Sequence, residues 1–390
     1  MENKMDKSDK IKLIRSSTMK CLLNNKVKNF QHDVLLQKPK TIYERNEDEG
    51  DLDLLDNFSI DKFPSEKPRD LFEPRFKTPI IARWDITYQC NFHCRHCYSE
   101  CSGSGVRGIS TLEAKKILDV LDKSKVQLVQ ILGGEPLIRS DIVEIILYAL
   151  KKNFIFAINS NGSLFTEQLV KKFAKAGLKF VQISLHGFEK EHNYLTRDSQ
   201  AFTKAIGAIE YLSHEGINVS VSCVISDLNY QIIFDFIDFL QKMGVDNIQL
   251  LTPLKEGRAK KDFNLSRKNF ISLKEKLIIF KNTRKDLNLD LPGFDIDLAD
   301  GIVNTFQNNH NYEFLFGCIG GVSGIRIDPQ GNACICIGKV GHPIASLLST
   351  PMDEVMRKMY LWRRKNVPRK CRDCVSYLMD CQGGCYLRFD

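Results

Sequence analysis

No run of apolar residues in this chain approaches the roughly 20 that a membrane-spanning helix needs. The opening Met-Glu-Asn-Lys-Met-Asp-Lys also lacks the apolar core of a secretory signal. A cytoplasmic location with no membrane partner is the expectation. A nucleic-acid module is missing too: the formal charge of +8 comes from Lys and Arg spread along the chain and interleaved with acids. That is the pattern of a solvated surface, so no nucleic-acid partner is expected. Nothing repeats at solenoid spacing. With 43% hydrophobic and 27% charged residues the composition excludes collagenous and wholly disordered classes. Cysteine, in contrast, is plentiful at 13 residues. Without an export signal these thiols are poor material for a disulfide framework, and clustered thiols in a reducing compartment more often hold metal.

At 390 residues the chain is long enough for two domains and an extension. Residues 1–77 carry a basic run (Lys10, Lys12, Arg15, Lys20) followed by an acidic one (Glu44 to Asp56) and no strong periodicity. They read as an extension, with a docking or lid role as the functional alternative. From 78 to 259, short apolar runs at 80–87, 127–132, 154–158, 180–185, 219–224 and 247–251 alternate with amphipathic stretches. The runs are expected to be strands buried on both faces. The first amphipathic stretch, 110–123, opens with a capping box of Ser110 and Glu113, and others stop just before Gly177, Gly216 or Gly244. Strands alternating with helices imply parallel β/α units. Six units are too few for a full eight-stranded barrel, which leaves an open partial barrel or a doubly wound sheet. Residues 260–317 read as a helical linker with no chemical motif. Residues 318–390 have little periodicity and seven cysteines, so metal is expected to supply their order.

Cys90, Cys94 and Cys97 follow the first strand directly. Loops at the C-terminal ends of parallel strands are where active groups collect. Three thiolates can bind three corners of a cubane and leave the fourth iron open. Zinc with His93 or His96 as the fourth ligand is the competing reading. Gly133-Gly134-Glu135-Pro136 follows the second strand, where glycines permit close backbone approach and a carboxylate can accept a bond from an ammonium group. Asn159-Ser160-Asn161-Gly162 ends the third strand and Ser184-Leu185-His186-Gly187 the fourth.

The Cys-x3-Cys-x2-Cys loop with Tyr98 next to it resembles the signature of the radical S-adenosylmethionine (radical SAM) superfamily, and the Gly-Gly-Glu-Pro element strengthens the likeness. The resemblance covers about 80–259, ending with Gly257-Arg258-Ala259 after the sixth strand. It implies an α/β fold, a partial (β/α)6 TIM-type barrel. It also implies a three-cysteine [4Fe-4S] cluster whose open iron chelates S-adenosylmethionine and cleaves it to a 5′-deoxyadenosyl radical. Gly133, Gly134 and Glu135 would hold the cosubstrate's amino group. Asn159 and Ser184 suit its ribose or carboxylate, and Arg197, thirteen residues past Ser184, stands where relatives contact the carboxylate. An electron donor such as flavodoxin or ferredoxin is implied as well.

The order Cys318, Cys336, Cys371-x2-Cys374-x6-Cys381-x3-Cys385 resembles the SPASM extension of such enzymes, which carries one or two auxiliary iron–sulfur clusters. Structural zinc is the alternative that the spacing alone leaves open. Cys334 is an additional thiol. Seven cysteines fall one short of two fully ligated cubanes, so a carboxylate such as Asp380 or Asp390, an open iron, or a single smaller cluster follows. Cys21, Cys101 and Cys223 read as unligated, Cys223 as core. Enzymes of this combination commonly modify ribosomally made peptides, so a peptide or protein substrate is expected. Porphyrin side-chain chemistry and a non-catalytic zinc-binding interaction protein are the alternatives.

Overall fold

The computed structural model describes residues 76–99, 101, 108–254, 256–259, 263–284, 286–291, 318–336 and 342–367. The N-terminal extension, apart from its last residues, and Cys371, Cys374, Cys381 and Cys385 lie outside the described residues. Strands β1 (Ile81–Thr87), β2 (Leu128–Gly133), β3 (Ile155–Ser160), β4 (Phe180–Ser184), β5 (Asn218–Val224) and β6 (Asn247–Leu251) are the six expected ones. They lie side by side in chain order and parallel.

Between them run α1 (Thr111–Lys123), α2 (Ile142–Ala149), α3 (Glu167–Lys175), α4 (Glu189–Thr196), α5 (Ala201–His214) and α6 (Ile233–Lys242). Helix α1 starts where the capping box predicts. The Ser110 amide donates to the Glu113 carboxylate at 2.8 Å and the Glu113 amide donates back to Ser110 Oγ. Its Ala114, Ile117, Leu118 and Leu121, spaced i, i+3, i+4 and i+7, face the sheet.

The parallel run extends beyond six strands. After α7 (Arg267–Thr283), the segment read as a linker adds β7 (Asn288–Asp290) beside β6. On the other flank β8 (Gly324–Ile327) pairs parallel with β1, followed by antiparallel β9 (Asn332–Cys334) and β10 (Ala345–Ser346). The segment from 318 onward, expected to take its order from metal, is in its described part built into the main core. Ile325 and Ile327 of β8 join it, and α8 (Met352–Lys365) buries Met352, Val355, Met356 and Met359 there at helical spacing. Each such side chain, fully buried, contributes on the order of 1.5–3 kcal/mol.

The strands are buried on both faces, as expected, but the two faces differ in chemistry. Ala82, Trp84 and Ile86 of β1, Val129 and Ile131 of β2, and Val181 and Ile183 of β4 pack under the helices, as does Cys223 of β5. Their alternates on the concave face are polar: Arg83, Asp85, Gln130, Asn159, Gln182, Ser220, Ser222 and Gln249. The bottom of that face is plugged by the apolar Ile81, Leu128, Ala157 and Phe180. Among the described residues no helix is long and apolar enough to cross a membrane.

Candidate active site

Because the strands are parallel, every strand end singled out in the sequence lies on one edge of the sheet. The cysteine loop sits over that edge, held by four neighbours. Gly134 donates its amide to Thr87 O and Glu135 to Gln89 O, each at 2.8 Å. The approach is so close that a Cβ on Gly134 would stand 2.0 Å from Gln89 O and 3.1 Å from Cys90 Cβ, while one on Gly133 (φ 141°) would meet Thr87 O at 2.2 Å. Both positions therefore demand glycine. From the β3 end, Asn161 Nδ2 donates to Asn91 Oδ1 at 3.0 Å and Asn91 Nδ2 to Ser163 Oγ at 2.8 Å. From α4, Leu195 O accepts the Arg95 amide at 2.8 Å, and the Arg95 guanidinium covers the Tyr194 ring at 4.2 Å. Past β6, Arg258 donates its amide to Cys97 O at 2.9 Å and Nε to Cys94 O at 2.8 Å.

Within this frame Cys90, Cys94 and Cys97 are all half-buried thiols on one short loop. The Phe92 amide donates to Cys90 Sγ at 3.4 Å. Burial pushes the Cys90 thiol up to about 11 and the Cys94 thiol up to about 12. Cys97 moves the other way, because Cys101 and then Ser99 hydrogen-bond to it and outweigh burial. Sulfurs that are costly to ionise while buried, and that already receive an N–H donor, suit binding to iron, which takes up the thiolate charge. Among the described residues no three His, Cys, Asp or Glu side chains converge on a point that would hold a single ion. A cubane differs in asking each thiolate to bind its own iron. His93 is exposed, and His96 turns its ring onto His186 at 4.3 Å and Phe263 at 5.4 Å. Neither imidazole completes a tetrahedral set with the three thiols. Burial, then Arg258, lowers His96 to about 4, so it is neutral at ordinary pH.

The remaining expected residues fall in different settings. Glu135 is fully buried, and its carboxylate accepts Ser160 Oγ at 2.9 Å, the Asn161 amide at 2.8 Å and the Leu137 amide at 3.1 Å. It ties the β2 end to the β3 end, and burial raises it to about 7 against those bonds. Asn159 lies inside β3 and bridges Gln130 and Gln182, with both bonds at 2.6 Å. Ser184 is half-buried at the end of β4. Arg197 caps α4 in the left-handed conformation (φ 60°) with an exposed side chain. Cys318 and Cys336 are half-buried, whereas Cys334 is buried on β9 with its thiol toward Asn332 O.

The concave face also holds residues that the motifs did not reveal. Arg326 of β8 grips Asp85 of β1 through Nε at 2.5 Å and Nη2 at 2.6 Å, and Nη2 also reaches Tyr98 Oη at 3.3 Å. Burial pushes the Asp85 carboxyl up and Arg326 pulls it back, while Arg326, despite its own burial, is held charged by Asp85. Fork geometry at these distances is that of an ion pair. Gln249 donates to Asp290 of β7 at 2.9 Å. A polar residue at every second strand position (83 and 85, 182 and 184, 220 and 222) was the sequence signal for this lumen.

A partial parallel barrel with a three-thiol loop stapled over its carboxyl edge defines a class of cofactor enzyme, and comparison with known proteins agrees. The sequence profile of the Radical SAM superfamily matches residues 84–240. Mycofactocin maturase MftC of Mycobacterium ulcerans is 31% identical over 331 residues, covering 80% of this chain and 85% of that protein. The chain belongs to the radical SAM superfamily and is an enzyme. MftC of Mycolicibacterium smegmatis is 34% identical over 188 residues, 48% of each chain; over such first relatives the match spans about half their length. The AdoMet-dependent heme synthase of Nitratidesulfovibrio vulgaris is 26% identical over 339 residues, 82% of this chain and 90% of that protein. Among solved structures, Streptococcus suis SuiB bound to precursor peptide SuiA has a TM-score of 0.66 at 20% identity, covering 80% of this chain and 73% of that one, which shows a shared fold. The family implies a [4Fe-4S] cluster and S-adenosylmethionine, and the cysteine loop fits such a cluster.

Proposed function

We propose that this enzyme modifies a peptide or protein by radical chemistry, forming a crosslink such as a thioether or oxidising a residue. The observation that carries the reading is the stapled loop: three thiols fixed by four separate elements over a polar lumen. When bound, the cluster and S-adenosylmethionine supply a 5′-deoxyadenosyl radical that takes a hydrogen atom from the substrate. The chain's own residues do the holding. Cys90, Cys94 and Cys97 bind three irons. Gly133 and Gly134 let the β2 end press against the loop beside the cosubstrate's amino group. Glu135 fixes that turn, Ser184 offers its hydroxyl, Arg197 takes the carboxylate, and Asn159 acts through the Gln130–Gln182 ring. Two proteins similar to this chain bear names that support a peptide substrate: a mycofactocin maturase, and SuiB with its precursor peptide.

In the same reading Cys318, Cys336, Cys371, Cys374, Cys381 and Cys385, with Cys334 beside them, hold one or two auxiliary iron–sulfur clusters. Flavodoxin or ferredoxin delivers the electron, and residues 1–77 dock the substrate. Anaerobic, iron-loaded, dithionite-reduced protein is expected to release 5′-deoxyadenosine and to change the mass of a short peptide encoded beside its gene. Release of nucleoside with every neighbouring peptide left at its original mass would remove the peptide reading.

A second reading, side-chain chemistry on a tetrapyrrole, is favoured by the heme synthase likeness, which extends over 90% of that protein. Loss of mass from an added iron coproporphyrin, with peptides untouched, would select it. Zinc without iron or acid-labile sulfide in anaerobically purified protein would instead favour a non-catalytic zinc protein.

A further inference from the structure

Arg83 is a cation in the lumen that no carboxylate touches. Its strand neighbours Ala82 and Trp84 point into the helix-side core, so Arg83 belongs to the concave face with Asp85. Its partners in register are Gln130 on β2 and Arg326 on β8, one neutral and one of like charge. Asp85 spends both carboxylate oxygens on Arg326. Asp290, across the lumen on β7, receives Gln249. The Arg83 guanidinium itself makes no hydrogen bond or ion pair among the described residues, and the residue is half-buried, so a ligand entering the lumen can reach it. The hydroxyls of Ser220 and Ser222 on β5 are likewise unbonded among the described residues.

Holding two arginines side by side inside a barrel is costly unless each has an anion. Arg326 has its own in contact, whereas Cys318, Tyr98 and Asp290 act on Arg83 only through space. Burial and then Arg326 pull the Arg83 guanidinium below its ordinary value, and Cys318, Tyr98 and Asp290 offset this only in part.

We propose that Arg83 is the anchor for a carboxylate of the substrate, bound in the lumen beneath the cysteine loop. An unoccupied planar guanidinium fork matches a carboxylate with two parallel bonds. This specifies the substrate class of the site described above, and its peptide arm rests on the peptide reading. The carboxylate can be a peptide's C-terminus, a Glu or Asp side chain, or the acid arm of a small molecule.

The test uses iron-loaded holoenzyme. In calorimetry, glutarate serves as a free carboxylate probe and its monoamide, then its diamide, as controls. Wild type is expected to bind glutarate at least about tenfold tighter than the diamide, Arg83→Gln to lose that preference, and Arg83→Lys to keep part of it. In turnover, the neighbouring-gene peptide is compared as C-terminal acid, C-terminal amide, and with each Glu or Asp made the amide. One of these neutral forms is expected to raise KM about tenfold in wild type and not in Arg83→Gln, with the smaller change in kcat.

Equal binding of glutarate and diamide by wild type, or an acid-to-amide preference that survives in Arg83→Gln, overturns the anchor. Loss of iron from Arg83→Gln with that preference intact also overturns it, since Arg83 would then serve the Cys318 region. If glutarate is anchored through Arg83 while no peptide is processed, the anchor stands and the peptide reading falls.

Discussion

Trp84 and Asp85 are consecutive residues of β1, yet they belong to two different materials. Trp84 is fully buried among apolar side chains under the helices, with one polar contact, its indole N–H donating to Asp328 O at 3.2 Å. Asp85 is equally inaccessible, at 2% exposure, but it is committed to one partner, Arg326, in one geometry. The helix-facing side of the sheet is built for stability and the concave side for recognition. The period of two along a strand lets one sequence encode both.

The sharpest break between the two faces is expected at the loop above them. Replacing Cys90, Cys94 and Cys97 with alanine should reduce 5′-deoxyadenosine release to background and remove about four irons per chain, with little change in thermal unfolding of the metal-free protein. Retained release would sink the cluster assignment. Trp84→Ala should act oppositely, costing about 3–5 kcal/mol in denaturant unfolding through the cavity it leaves. Its effect on cosubstrate cleavage should come only through the folded fraction.

Asp85→Ala strands Arg326 and should cost roughly 3 kcal/mol. The apolar pair Asp85→Leu with Arg326→Met should recover most of that stability while removing this ion pair from the lumen. A double that is as unstable as the single would mean that the pair is packing rather than electrostatics.

Glu135 yields a pH signature. Burial raises its folded value from 4.5 to about 7, so the folded state favours the protonated form. Its stabilising contribution is complete below about pH 4.5 and is lost as pH rises through about 7, a change of roughly 3 kcal/mol. Glu135→Gln should flatten that part of the stability profile, and an unaltered slope would assign it to another group. At the small end, Lys171→Ala removes an exposed pair with Glu167 on the surface of α3 and should leave Tm unmoved.

The six strands and their helices were legible because caps, glycine stops and apolar runs are local features. Ser110 with Glu113 is a complete instruction within four residues. The cysteine trio and the Gly-Gly-Glu element were legible for the same reason. Less accessible was anything that depends on which strand neighbours which. Strand β7 has three residues and no pattern of its own, and β8 is ordered by lying against β1. Asp85 and Arg326 stand 241 residues apart, so neither suggests the other. Glu135 stands out in its motif, but the tie it makes to Ser160 and Asn161 follows from the meeting of two strand ends and not from that motif. The polar lumen was written in alternate residues and was obscured because Leu, Ile and Val on the opposite face dominate each short window.

The pairing of β8 with β1 carries a consequence for how the molecule is made. On leaving the ribosome β1 gains β2 as a neighbour within seconds, but its other edge waits for a segment more than two hundred residues later, tens of seconds at ordinary elongation rates. Throughout that interval the edge of β1 that will meet β8 lacks that partner, and an open strand edge invites aggregation. A fragment truncated after β6 would carry the same open edge permanently. The nascent chain therefore needs a temporary cover for β1, and heterologous production should improve with slower synthesis at low temperature or with added chaperone.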